Sequence, residues 1–454
     1  MHEECGVFGI LDKKGQIDLA TLTYFGIFAL QHRGQESAGI AVVNGKNILI
    51  YRDLGLVSEV FNEEILNTLQ GTAAIGHVRY STVGGNNWEN SQPILHHFPG
   101  GSFALAHNGQ LVNQDDLRKL LLSSSSTSKS RDTDSHLLCQ LINETGEKDI
   151  ETALEKVALQ LKGSFCLVVL SENKLIGLRD GLGFHPLVLG KLKGDGGAYV
   201  IASEDSAFSL IDAQFIREIK PGEMIIIEGD TYKSRHIIPN KHKAICIFEY
   251  IYFARPDSNI SGENVAVVRE RIGQKLAQEQ PVDADIVISV PDSGRFAALG
   301  YSQESGIPYQ EGLVKNPYIG RTFIQPNQIL REHSVKLKLS PISGIVKGKR
   351  VVMVDDSIVR GTTSQKLVKL LKNAGAKEVH VRISSPPVHY PCHYGIDTPS
   401  KEELWATRFS VEQIRDWIGA DSLGYISLKG LTGVFEKNKP TDFCTACFSG
   451  RYPI

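Results

Sequence analysis

The stretch Arg350-Val351-Val352-Met353-Val354-Asp355-Asp356-Ser357-Ile358-Val359-Arg360-Gly361-Thr362-Thr363 decides the architecture of the second half of the chain. Apolar residues 351–354 read as a buried strand, with two acids at its carboxyl end. A Gly/Thr-rich loop then feeds a helical pattern carrying Leu367, Val368, Leu370 and Leu371, closed by Gly375. Strand, loop and helix in that order form the unit of a parallel sheet with crossover helices, and DIVISV (285–290) and VHVRIS (379–384) supply further strands of the same kind. Loop amides at a helix amino terminus make an anion pocket, and neighbouring acids at a strand end can hold sugar hydroxyls or a divalent cation. The segment therefore suits a ribose phosphate; the plainer alternative is an ordinary turn between strand and helix.

Working outward, the first half has a different rhythm. GVFGI, NILIY, AAIGHV, FALAHNG, FCLVVL, KLIGL and AYVIAS are short apolar strands with Gly-rich turns, interrupted by helical patterns at Ser135 to Asn143 and Ile150 to Leu161. Layered α and β structure is expected. A polar, basic stretch with Pro239, residues 234–243, marks the junction, and the Ser/Thr-rich tract 123–128 reads as an exposed loop. The expected division is 1–4 as a leader, 5–235 as the first domain and 240–454 as the second.

At 454 residues the chain is long enough for two or three cores. Lys and Arg total 49 against 51 Asp and Glu, a net charge of −2, so nothing draws it toward nucleic acid or an anionic membrane. The apolar runs fall short of a membrane helix, and the amino terminus lacks the basic and apolar regions of a secretion signal. A cytoplasmic location is the expectation. The 7 scattered cysteines suit free thiols or metal ligation better than a disulfide framework.

Cys5 stands at the head of the strand-like CGVFGI with only Met-His-Glu-Glu before it. A chain-terminal cysteine brings its own base, because an α-amino group titrates near pH ~7.7–8.0 and can take the thiol proton. Exposing Cys5 needs a cut after Glu4; a buried structural cysteine is the alternative. Arg79 after an apolar strand, Asn108-Gly109 at the end of another, and Asp132 at a helix start offer three further groups. They are a guanidinium for a carboxylate, an amide with an adjacent backbone N–H for an oxyanion, and a carboxylate for an ammonium.

CGVFGI, LQHRGQESAG (30–39), GHVRYST (76–82), HNG (107–109) and DTD (132–134) resemble, in order and spacing, the class II glutamine amidotransferase domain, an N-terminal nucleophile hydrolase of αββα architecture. The resemblance implies Cys5 as nucleophile, Asn108 and Gly109 as oxyanion hole, and Arg79 and Asp132 as ligands of the glutamine backbone. Where that family commonly shows Asp-Thr-Glu, this chain has Asp-Thr-Asp, a departure at Asp134.

VVMVDDSIVRGTT resembles the phosphoribosyl pyrophosphate signature of type I phosphoribosyltransferases. This implies Asp355 and Asp356 on the ribose, with Ser357 and Arg360, Gly361, Thr362 and Thr363 around the 5′-phosphate. VPDSGR (290–295) resembles the pyrophosphate loop, with Asp292 beside the substrate and Ser293 joining Asp355 and Asp356 around Mg²⁺. Lys315 to Leu339 is polar, basic and irregular, and reads as a closing lid in which Lys315, Arg321 and Arg331 screen polyphosphate charge.

Four cysteines remain: Cys444 and Cys447 in a C-x-x-C, and Cys246 and Cys392 far upstream. Their spacing leaves structural zinc, an iron–sulfur cluster and unligated thiols all open. Their contexts resemble the iron–sulfur, propeptide-bearing subgroup of the glutamine phosphoribosylpyrophosphate amidotransferase family, which implies a [4Fe–4S] cluster. Cys139 and Cys166 sit in apolar patterns and read as buried free thiols. The whole-chain resemblance implies synthesis of 5-phosphoribosylamine from glutamine and phosphoribosyl pyrophosphate, the first committed step of purine synthesis, by a homotetramer inhibited by purine nucleotides. The aromatic run 248–253 is expected to wall a dry passage for ammonia. The alternatives are a class II amidotransferase with another acceptor, a phosphoribosyl pyrophosphate-sensing regulator, or an electron carrier.

Overall fold

The computed structural model describes residues 5–12, 14, 17–80, 87–123, 133–194, 197–239, 242–316 and 339–454. The first half is a sandwich of two antiparallel sheets. One has seven strands in the spatial order Ala213–Glu218, Val188–Leu192, Tyr199–Ala202, Gly6–Leu11, Ala73–Arg79, Ser37–Asn44 and Asn47–Leu54. The other has six, in the order Thr231–His236, Glu223–Glu228, Lys174–Arg179, Gly163–Ser171, Gly101–Leu111 and Ile94–Phe98.

Period-two alternation sends each strand's side chains to two different cores. On Gly6–Leu11, Val7 and Leu11 join the layer between the sheets, while Phe8 and Ile10 pack outward against the helix Leu19–Ala29. On Gly163–Ser171, Cys166, Val168 and Leu170 face the first sheet, and Phe165, Leu167 and Val169 face the helices Asp134–Glu144 and Ile150–Ala158. Helices thus cover both outer faces, giving the αββα order expected. The second of these helices stops at Ala158, short of Leu161, because the chain must straighten to enter the strand that begins at Gly163.

The second half carries a four-stranded parallel sheet, Ile286–Ser289, Arg350–Asp355, Glu378–Ile383 and Ser422–Tyr425 in spatial order. The helices Val265–Glu279 and Arg295–Ser305 pack on one face, through Val268, Ile272, Leu276, Ala298 and Tyr301 against Val287, Val352 and Val354. Thr362–Asn373 and Val411–Ile418 cover the other. The central strand ends at Asp355, one residue beyond the expected apolar run 351–354. There the Asp356 N–H donates to Asp355 Oδ1 at 2.9 Å and turns the chain out of the sheet. Such a parallel sheet places its loops at the strands' carboxyl ends, where ligands of open α/β folds sit.

Candidate functional site

Gly6–Leu11 lies between two neighbours, and Gly6 is directly opposite Val78, so Cys5 emerges beside the end of the strand that carries His77 and Arg79. Cys5 Sγ stands 3.6 Å from the Tyr80 carbonyl oxygen. Burial pushes the thiol up to about 11, with the Tyr80 main chain and the Arg79 guanidinium pulling the other way. At neutral pH it is a thiol and needs a base.

Asn108 and Gly109 lie on the strand Gly101–Leu111, opposite Cys166 and Phe165. Asn108 is buried, and its Nδ2 has no hydrogen-bond partner among the described residues, a costly state for a buried donor. Gly109 has φ +137°, and a Cβ there would meet the Ser164 carbonyl oxygen at 2.2 Å, so only glycine fits.

Residues not anticipated from the sequence hold this strand. The Gln92 side-chain oxygen accepts from the His107 N–H at 2.7 Å, and its amide donates to Ser135 Oγ at 3.1 Å. His77 Nε2 lies 3.1 Å from the His107 carbonyl, which only accepts, so that nitrogen carries the proton. Burial lowers His77 to about 3 and lowers His107 as well, so both rings are neutral. Asp134, the position that departs from the family pattern, accepts from the Leu111 N–H at 3.1 Å and ties the helix start to the strand end. Asp132 and the leader 1–4 lie outside the described residues.

On the other side, Asp355 and Asp356 end the central parallel strand, buried to 6% and 8% exposure. Ser293 Oγ donates to Asp356 Oδ2 at 2.5 Å and Ser357 Oγ to Asp356 Oδ1 at 2.6 Å, which brings VPDSGR and the acid pair together. Burial, and then the neighbouring Asp356, hold the Asp355 carboxyl well above the usual range. Lys315 Nζ pairs with Asp292 at 2.8 Å, and Arg360 with Glu403 at 2.7 Å. Gly361, at φ +67°, opens the helix Thr362–Asn373, with Thr362 and Thr363 in its first turn. Arg321, Arg331 and nearly all of the expected lid lie outside the described residues.

Between the two sites, the expected aromatic wall is mainly core: Phe248, Tyr250, Ile251 and Phe253 are buried in the second domain's apolar cluster. Apolar burial outweighs lining a passage for these four side chains. Tyr252 differs. Its hydroxyl is pushed up by burial first, then by Asp356 and Asp355, with Tyr80 a smaller cause. Glu249, on the same segment, binds the fully buried Arg33 at 2.6 Å, and Arg33 also pairs with Glu204.

The four distant cysteines gather. Cys246 and Cys444 are partners in a short parallel pairing of Ile245–Cys246 with Phe443–Cys444. Cys392 and Cys447 pack against the apolar cluster that holds Cys246, and Cys392 also against the smaller one that holds Cys444. The Cys447 thiol is raised by burial, then by Cys392 and Cys444. Among the described residues no group of three or more His, Cys, Asp or Glu forms a grouping that could hold a metal ion. Cys139 and Cys166 are buried and free, as expected.

Comparisons with known proteins agree with both halves. Residues 77–209 match the glutamine amidotransferase domain and residues 261–418 the phosphoribosyl transferase domain. Among curated proteins, an amidophosphoribosyltransferase of Mycobacterium tuberculosis is 50% identical, over 100% of this chain and 87% of its own length. That of Bacillus subtilis is 48% identical, over 100% and 94%. A solved structure of the allosteric regulatory enzyme of purine biosynthesis superposes with a TM-score of 0.91 at 47% identity, covering 99% of this chain and 96% of that one. The Bacillus subtilis glutamine phosphoribosylpyrophosphate amidotransferase complexed with ADP and GMP gives 0.91 and 47%, covering 99% and 97%. Two sites joined in one chain, each matched by its own domain model and both together by relatives of nearly equal length, establish that the chain belongs to the amidophosphoribosyltransferase family.

Proposed function

We propose that the protein converts glutamine, water and phosphoribosyl pyrophosphate to 5-phosphoribosylamine, glutamate and pyrophosphate, the first step of purine synthesis. The observation that carries the reading is the joining, in one chain, of a strand-end cysteine and a buried amide without a partner among the described residues in the first half with a buried acid pair at the end of a parallel strand in the second.

In this reading, residues 1–4 are removed and the freed α-amino group of Cys5 takes the thiol proton, the base that a thiol pushed up to about 11 requires. Sulfur attacks the glutamine side-chain carbonyl, the C–N bond breaks, and ammonia leaves with the proton. Water then hydrolyses the glutamyl thioester to glutamate. Asn108 Nδ2 and the Gly109 N–H hold the oxyanion, Arg79 the α-carboxylate and Asp132 the α-ammonium. Ammonia passes Tyr252 to the anomeric carbon and displaces pyrophosphate.

Ser293, Asp355 and Asp356 would hold Mg²⁺, and the hard oxygen donors and the raised Asp355 suit a divalent cation. Bound there, it would neutralise charge on the leaving pyrophosphate. Ser357 and residues 360–363 cradle the 5′-phosphate, with Asp292, Lys315, Arg321 and Arg331 around the polyphosphate. Cys246, Cys392, Cys444 and Cys447 are the thiols that would hold a [4Fe–4S] cluster, supported by the pairing of Cys246 with Cys444, and iron analysis of the purified protein tests it. The division near residues 235–240, the homotetramer and inhibition by purine nucleotides belong to the same reading. A relative in complex with ADP and GMP supports the last of these.

Cys5→Ala tests the two-site reading. Glutamine-dependent synthesis is expected to vanish while synthesis from free ammonia persists; loss of both would contradict it.

A further inference from the structure

The Asn108-Gly109 strand is seated against a loop of the second domain. The Gln110 N–H donates to Ser164 Oγ at 3.0 Å, and that hydroxyl donates to the Tyr394 carbonyl at 2.6 Å. Ser164 is fully buried, and its single proton and a lone pair are both used. The Tyr394 carbonyl accepts a second bond, from His185 Nε2 at 2.8 Å, while His185 Nδ1 faces Glu249 Oε1 at 3.2 Å. The Tyr394 carbonyl only accepts, so His185 Nε2 carries a proton. The Tyr394 ring stacks on Phe184 at 4.3 Å between centroids. A Cβ added at Gly395 would lie 3.4 Å from Gly109 Cα, so the two main chains touch.

We propose that Ser164 is a positioning residue for Asn108 and Gly109, and that Tyr394-Gly395 of the second domain completes this support. The oxyanion site is then finished only when the two domains are docked. The proposal rests on the reading of Asn108 and Gly109 as oxyanion donors. Donors of this kind act over a narrow range, about 2.7–3.1 Å from the developing charge. Without the Ser164 hydroxyl, the Gln110 N–H loses its acceptor and the strand end loses its tie to Tyr394, one residue from Gly109. Ground-state glutamine, held at its backbone charges, is indifferent to that shift; the tetrahedral intermediate is not.

The test compares Ser164→Ala with the parent in the full-length, mature protein. Expected is a fall in kcat for glutamine hydrolysis of about 10- to 100-fold, the size of a sub-ångström misplacement, with KM for glutamine within about twofold. Ammonia-dependent synthesis should stay at the parental value, and the melting temperature should fall by no more than a few degrees, the cost of the lost hydrogen bonds. If Ser164→Ala does not fold, Ser164→Cys fills the same space with a weaker acceptor and carries the same expectation at smaller size. An unchanged kcat would overturn the proposal. So would a parallel loss of glutamine hydrolysis, ammonia-dependent synthesis and melting temperature, which marks a merely structural role. A parent protein without glutamine hydrolysis would instead sink the functional reading on which the proposal stands.

Discussion

Cys5, at the head of one strand, and Asn108, on another, belong to a sandwich held by neutral histidines and a glutamine, whereas Ser293, Asp356 and Arg360 stand on loops at the carboxyl ends of a parallel sheet. The first region is built before its substrate arrives: its buried polar groups bond one another, and among the described residues the Asn108 amide donor and one ring nitrogen each of His77 and His107 are left over. The second holds unbalanced negative charge, an acid pair whose Asp355 is raised by burial and by its neighbour. The difference matches the chemistry proposed for each. Stabilising an oxyanion calls for donors fixed in advance, while handling a polyphosphate calls for a site completed by a cation and a closing loop.

Three measurements sharpen or break this contrast. Asp356→Asn removes a charge from the incomplete region and leaves one acceptor oxygen where Ser293 and Ser357 each have their own. Several kcal/mol of metal-borne stabilisation, at about 1.4 kcal/mol per tenfold, predicts at least a ~100-fold loss of both glutamine- and ammonia-dependent synthesis. Basal glutamine hydrolysis should survive, and its parallel loss would show that the two regions are not separately built.

Arg33→Met probes the join. Removing one partner of a buried pair costs about 3–5 kcal/mol because the other charge stays buried, and here Glu204 and Glu249 are both left. Denaturant unfolding should show that loss, and a change below about 1 kcal/mol would mean that the network is not a fastening.

Acid should weaken the glutamine side first. His77 titrates near 3 in the folded chain and near 6.5 unfolded, so below 6.5 the unfolded state binds the extra proton. Stability is complete above pH 6.5 and is lost as pH falls toward 3, by about 2 kcal/mol at pH 5 for this ring alone. In His77→Gln the slope of stability against pH should flatten by about one proton; an unaltered slope would place the titration elsewhere.

Much of this was legible in the sequence because it is local. Short apolar runs with Gly-rich turns marked the sandwich strands, and VVMVDDSIVRGTT announced its strand, turn and helix within one stretch. The fastenings were not. Arg33 with Glu249, Ser164 with Tyr394 and Gln92 with His107 pair residues from distant elements, and no spacing rule brings them together. Arg33 was visible inside LQHRGQESAG, but its burial against two carboxylates depends on a domain that begins some two hundred residues later. The aromatic run 248–253 had the composition of a wall and of a core alike, and only packing separates Tyr252 from its buried neighbours.

The most direct measurement supplies the mature protein with Mg²⁺, phosphoribosyl pyrophosphate and glutamine carrying ¹⁵N in its side-chain amide. The account predicts ¹⁵N on the anomeric carbon of the phosphopentose, with glutamate and pyrophosphate formed in equal amounts. Glutamate formed while the phosphopentose stays free of ¹⁵N would contradict it.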